Sequence, residues 1–191
     1  MNYPKYVEIN NKRYNISTDF RIAIECDRIA RDKTIGDHER ALAIIYLLYG
    51  DDGLKDFNNH NKLLELAYKY LACGKELENI DEEPDMDYIE DMDYIEASFM
   101  SDYHINLEND SMHWWKFNKL INGLSNSEMG NCCILNNIRN LRNFDEKTIK
   151  DDKERKKIHE AKERVALNKT QKQFTKKQQD AIDKFNKLAG L

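Results

Sequence analysis

The sequence predicts a mainly α-helical protein: a helical domain over 1–144 that opens with a small N-terminal β-hairpin, then a charged helical C-terminal arm over 145–191. Three observations carry this. Only 7 glycines and 2 prolines punctuate 191 residues, so long helices can run unbroken. Apolar residues recur at three- and four-residue spacing in most segments, the period of an amphipathic helix. Charged residues make up 34% of the chain against 40% hydrophobic, which suits helices with one buried stripe and a wide solvated face.

The elements follow in order. Strands are expected at 6–9 and 12–16 around Asn10 and Asn11, because asparagine tolerates the positive φ of a two-residue hairpin turn. Ser17 or Thr18 is expected to cap a helix carrying Phe20, Ala23, Ile24 and Cys26. Gly36 should break it and Asp37 cap the next helix, HERALAIIYLLY, whose second half is apolar nearly all round and therefore central. Residues 50–53 (Gly-Asp-Asp-Gly) read as a loop. A third helix is expected over 58–73, ended by Gly74, with an acidic connecting stretch over 76–87.

DMDYIE then occurs twice in tandem, at 85–90 and 91–96. A six-residue shift turns a helical side chain by about 240°, so the copies cannot share a face. The second is expected to start a helix with Met92, Ile95, Phe99 and Tyr103 as its stripe. The first falls in the helix entry or the loop before it, a duplication at a tolerant boundary.

The two tryptophans are adjacent. At about 100° per residue, Trp114, Phe117, Leu120, Ile121 and Leu124 share one helix face, whereas Trp115 points the other way with Lys119 and Asn122. A second buried neighbour and a protein interface both explain Trp115. Ser127 is expected to cap a helix through Cys132, Leu135, Ile138 and Leu141. Beyond Phe144, 151–169 carries a thin stripe of Ile158, Ala161 and Val165. A last helix over about 175–189 presents Ile182, Phe185 and Leu188 at helical spacing. The arm docks by a thin stripe or folds on a partner.

Charge is divided unevenly. Residues 1–110 hold 12 Lys/Arg and 25 Asp/Glu, net −13, and 111–191 hold 18 and 10, net +8. An acidic front and a basic back can attract each other within one chain or between copies, so a homo-oligomer is a natural expectation. Nucleic acid is disfavoured as a partner: Asp151, Asp152, Glu154, Glu160 and Glu163 interleave with the arm's bases, and the front half repels phosphate. The longest apolar run, 41–49, is too short to span a bilayer, so no membrane contact is expected. The opening residues lack a secretory pattern, and Cys26, Cys73, Cys132 and Cys133 form no CxxC; reduced, mostly buried thiols are expected.

Reactive constellations are not expected. Asp85-x-Asp87 and Asp91-x-Asp93 have the DxD form, without a nucleotide-binding strand and loop around them. His38, His60, His104, His113 and His159 lie in separate elements, and His113 reads as a satisfied structural residue. With no G-x-S-x-G, Walker or Rossmann pattern, the expectation is no catalytic residue, no metal and no cofactor.

Residues 94–124 resemble the bacteriophage gene-product-fifteen family, small proteins of tailed phages and of prophages in Gram-positive bacteria. The shared pattern is Asp93 and Tyr94 leading into Ala97-Ser98-Phe99; then Tyr103, Ile105, Asn106 and Leu107 in a turn; then Met112 through Phe117, with Leu120, Gly123 and Leu124. An apolar helix ending in arginine is matched at 134–139, and Thr18 through Arg21 look like the family's first helix. His104 stands where the family pattern has glycine, Asn106 where it commonly has aspartate, and the duplicated hexamer is unusual.

The resemblance implies a non-enzymatic tail-module protein, encoded near tail-tube and tape-measure genes and working in the cytoplasm of the bacterial host. It implies a role similar to chaperones that coat the phage tape-measure protein, which makes that protein the expected partner. A structural part of the tail or connector, and a nucleic-acid-binding phage protein using the basic arm, are the alternatives. Tyr94, Trp115 and Lys119 are expected to meet the partner, with Ile182, Phe185 and Leu188 of the arm. Phe99, Tyr103, Trp114, Phe117, Leu120 and Leu124 are expected to form the structural core of the segment.

Overall fold

The computed structural model describes residues 3–75, 84–126 and 132–167. They divide into one compact unit through Phe144 and another from Asp145 onward. The chain is mainly α-helical with a small N-terminal hairpin.

Strands β1 (Tyr6–Ile9) and β2 (Lys12–Asn15) pair antiparallel, with Val7 opposite Tyr14 and Ile9 opposite Lys12. Asn10 and Asn11 stand at φ +50° and +63°, the left-handed pair a tight hairpin turn demands. The Tyr14 ring is buried, and its hydroxyl donates to the Asp56 carboxylate, which also accepts from Lys12 Nζ (3.0 Å) and Asn59 (3.1 Å). These donors, Tyr14 first, hold the Asp56 carboxyl down at about 2. Because the folded value lies below the unfolded value of about 3.9, this stabilisation is present above pH ~4 and lost as the pH falls toward ~2. Asp56→Asn should therefore flatten the acid limb of a stability-versus-pH curve in that window. An unchanged limb would reject the role.

Helix α1 (Phe20–Arg31) is capped by Asp19, whose carboxylate accepts from the Arg21 N–H at 2.9 Å, and not by Ser17 or Thr18 as expected. The reason is non-local. The Ser17 N–H donates to the Leu48 carbonyl and the Thr18 carbonyl accepts from the Trp114 N–H, both at 2.8 Å, which keeps these residues extended. Helix α2 (Asp37–Leu54) packs against α1, β2 and α3 (His60–Leu71). It buries Ile44, Ile45, Leu48 and Tyr49 but leaves Tyr46 52% exposed, so it is central without being covered all round. The expected loop at 50–53 is a helical turn instead. Gly50 breaks α2 at φ +64°, ψ −156°, and helical backbone resumes to Leu54. Glycine takes that conformation at least cost.

Helix α3 ends in a Schellman turn. Cys73 takes φ +55° and its N–H donates to the Tyr70 carbonyl, while the Gly74 N–H reaches back to Lys69, both at 2.9 Å. Turns at 85–91 then lead into α4 (Met92–Tyr103), followed by α5 (Trp114–Asn122) and α6 (Ile134–Asn143). The second hexamer copy enters α4 as expected. The first is more than a tolerant boundary: Tyr88 packs edge-on against Trp114 (5.5 Å), Asp87 pairs with Arg31 (2.6 Å) and Asp85 with Arg139 (3.1 Å).

Helix α4 closes at His104 with φ +55°, a left-handed position that glycine takes at least cost. Left-handed backbone costs a non-glycine residue about 1–2 kcal/mol, part of which glycine returns through its freer unfolded chain. The His104 side chain is exposed, so His104→Gly should stabilise by up to about 1 kcal/mol in urea unfolding. A loss of stability would show that the imidazole outweighs the backbone strain.

Helix α6 is capped by the Cys133 sulfur, which accepts from Asn136 N–H at 3.5 Å; Ser127, the expected cap, lies outside the described residues. Cys26 and Cys133 are buried thiols, and burial pushes the Cys26 thiol up to about 12, far from reactivity at neutral pH. In the second unit a short turn at Glu146–Thr148 precedes α7 (Asp152–Val165), which Asp151 caps by accepting from the Glu154 N–H at 2.8 Å. The helix expected over about 175–189 falls outside the described residues.

Candidate functional site

The two stretches of the family pattern, 18–21 and 94–124, meet in space. The Phe20 N–H donates to the Met112 carbonyl (2.9 Å) and the Trp114 N–H to the Thr18 carbonyl (2.8 Å), a one-rung antiparallel bridge between Asp19 and His113. Both bridge residues are helix caps. Asp19 starts α1 and also accepts from Ser111 Oγ (3.1 Å); His113 starts α5, its Nδ1 accepting from the Trp115 N–H at 3.0 Å. That acceptor role places the ring proton on Nε2, which donates to the Pro4 carbonyl at 2.9 Å. With both ring nitrogens engaged, His113 is a structural histidine. Arg21 completes the junction: its guanidinium donates to the carbonyls of Leu107, Glu108 (3.2 Å) and Asp110 (3.4 Å), holding the turn that carries the pattern.

Inside this junction the aromatic rings stack around Phe117. Its centroid lies 4.5 Å from Phe20, 5.2 Å from Phe99 and 5.8 Å from Trp114, all near parallel. Of the expected structural residues, Phe99, Trp114, Phe117 and Leu124 are buried, whereas Tyr103 and Leu120 are half-buried and joined by the Tyr103 hydroxyl donating to the Leu120 carbonyl (3.0 Å). A Cβ on Gly123 would come 3.0 Å from that hydroxyl, which explains the glycine in the pattern. Ser98 is buried between α4 and α6, donating to the Tyr94 carbonyl (2.7 Å) and accepting from the Leu135 N–H (3.1 Å).

The tryptophan pair does one job from two directions. Trp114 Nε1 donates to the Leu71 carbonyl and Trp115 Nε1 to the Tyr70 carbonyl, each at 2.9 Å. These are the last two carbonyls of α3, at the negative end of its dipole; that of Tyr70 also accepts from the Cys73 N–H, and that of Leu71 lies past the helix's own bonding ladder. Adjacent indoles thus clamp the C-terminus of one helix from the start of another. Trp115 also stacks on Tyr70 (6.2 Å) and passes close to Gly74. Of the two explanations open for Trp115, the structure supplies the neighbour, yet the residue is not fully buried. Trp115→Ala should cost about 2 kcal/mol, less than a fully buried tryptophan because part of the residue's surface is already in water. Chemical unfolding measures it, and a change within about 0.5 kcal/mol would mean the clamp is idle.

The remaining expected contact residues are only partly brought together. Lys119 is exposed one turn beyond Trp115, with Nζ 6.0 Å from the Tyr3 ring, which stacks on His113. Tyr94 is half-buried on α4, packed on the core, with no described contact to Trp115 or Lys119. Ile182, Phe185 and Leu188 lie outside the described residues.

Three of the four DxD aspartates, Asp85, Asp87 and Asp91, face arginines, and Asp93 is exposed. Asp91 is 1% exposed and accepts from both Nη atoms of Arg142 at 2.7 Å, beside the pairs that Asp85 and Asp87 make with Arg139 and Arg31. In the sequence the only trace of these pairs is a repeated acidic hexamer and a helix bearing Arg139 and Arg142 three residues apart. The family model described as Bacteriophage Gp15 protein matches residues 2–167, from the hairpin through α7. No curated protein and no solved structure matches the chain.

Proposed function

We propose, from the premise that the chain belongs to the bacteriophage Gp15 protein family, that it is a tail-assembly chaperone. In this reading it is a non-enzymatic protein that binds the phage tape-measure protein in the cytoplasm of the bacterial host. The observation that carries the reading is how the family pattern is spent. Its caps, stacked rings and arginine fork all join helices, and of its partly exposed aromatics, Tyr94, Tyr103 and Trp115, Trp115 is the one on the same helix as exposed Lys119, one turn away. A helical surface with modest apolar anchors suits reversible cover of a long helical partner, whose exposed stripes would otherwise aggregate. No helix among the described residues is long and apolar enough to cross a membrane.

A chaperone leaves the product it assembles. Quantitative mass spectrometry of purified virions should therefore find the tape-measure protein and not this chain. Recovery of the chain at fixed stoichiometry would replace the chaperone reading with that of a structural tail or connector part.

A further inference from the structure

Helices α4 and α6 carry an apolar strip on the outside of the first unit. Asp91, just before α4, pairs with Arg142 near the end of α6 (2.7 Å), and Ser98, late in α4, accepts from the Leu135 N–H at the start of α6 (3.1 Å). The two helices therefore run antiparallel, and Leu135 and Arg142 mark the face of α6 that meets α4. At about 100° per residue, Ile134, Ile138 and Leu141 fall within about 60° of one another, about 90° round from that face. On α4, Tyr94 and Ala97 follow Ser98 round toward solvent and border the same strip. Ile134 is 45% exposed and Ala97 is exposed, whereas Ile138 and Leu141 are half-buried and stand outside the core cluster. The charge beside the strip has one sign. Helix α4 carries Asp93, Glu96 and Asp102 and no base. The two bases of α6 are held by acids, Arg139 by Asp85 and Arg142 by Asp91.

We infer that this strip receives residues 175–189 of a second copy of the chain. At helical spacing those residues place Ala181, Ile182, Phe185 and Leu188 on one side. Lys177 and Lys184 border that side, and Asp180 and Asp183 fall behind it with Lys176 and Lys187. An apolar side bordered by bases thus matches an apolar strip bordered by acids, the pairing that lays an amphipathic helix into a groove and fixes its partner. The strip of a second copy would set acid against acid, and a nucleic acid would meet Asp93 and Glu96 with its own negative charge. The inference goes beyond the chaperone reading and is tested without the tape-measure protein, so its failure leaves that reading untouched.

Sedimentation velocity of the full-length chain supplies the test. Each copy offers one strip and one arm, so the chain should associate as its concentration rises, about tenfold or more weakly at high salt. Ile138→Glu puts a charge in the strip and Phe185→Glu one in the arm, and each variant alone should be monomeric. Mixed, they should form a pair and nothing larger, because one copy keeps its arm and the other its strip. Lys177→Glu with Lys184→Glu should also abolish association, and a partner copy carrying Asp93→Lys with Glu96→Lys should restore it. A chain that stays monomeric at every concentration overturns the inference, and that is also what an arm docked on its own copy would give. So does a mixture of the two variants that stays apart, or one that still pairs when Phe185→Glu is added to the Ile138→Glu copy.

Discussion

Replacing Asp91 with alanine should cost about 3–5 kcal/mol of folding stability, the effect of stranding a buried charge. Asp91 is 1% exposed and receives two parallel hydrogen bonds from Arg142, itself largely buried, plus the Asp87 N–H at 3.0 Å. The carboxylate thus ties the turn before α4 to the last turn of α6. Without it the Arg142 guanidinium keeps its desolvation and loses its counter-charge, though its donation to the Asp85 carbonyl (2.9 Å) survives. Removing both charges, with Arg142→Met added to Asp91→Ala, should recover much of the loss, because the penalty belongs to the unpaired ion. Exposed pairs such as Lys55–Asp51 should each change stability by less than about 1 kcal/mol. Urea unfolding of the single and double variants separates the cases. A loss under about 1 kcal/mol for Asp91→Ala would mean the pair is solvated.

Phe117→Ala should be of similar size, about 3–5 kcal/mol, for a different reason. Phe117 has no exposed surface and stacks with rings from α1, α4 and its own helix. Truncation removes the apolar transfer energy and leaves a cavity bounded by Phe20, Phe99 and Trp114, large rings that cannot all close inward. Near-UV circular dichroism, sensitive to this stack, should weaken before far-UV helicity is lost. Retention of full stability would mean that the rings repack around a smaller residue.

Both sites bear on what the sequence disclosed. The hairpin was legible because two consecutive asparagines pointed to positive φ locally. The helical faces of Phe99 and Phe117 were legible because periodicity fixes direction. What a face meets is not local. The wheel turned Trp115 away from Trp114, yet both indoles reach the same helix end, since neighbouring side chains can straddle the two final carbonyls of α3. Ser17, Thr18 and Asp19 all suit a cap, and bonds to Leu48 and Trp114, far along the chain, decide among them. The first hexamer reads locally as a helix entry or a loop, and only α6, far along the chain, brings Arg139 and Arg142 against Asp85 and Asp91. The candidate surface was legible in part: Trp115 and Lys119 share a face, Tyr94 does not join them, and the arm residues 182, 185 and 188 lie outside the described residues.

The chaperone reading rests on family membership and on how the junction spends its residues. Co-expression with the tape-measure gene of the same phage tests it most directly. The expected result is that the tape-measure protein, aggregated when made alone, becomes soluble and co-purifies with this chain, and that Lys119→Glu weakens the complex by more than it lowers the chain's own stability in urea unfolding. A tape-measure protein that stays insoluble, with no complex recovered, would contradict it.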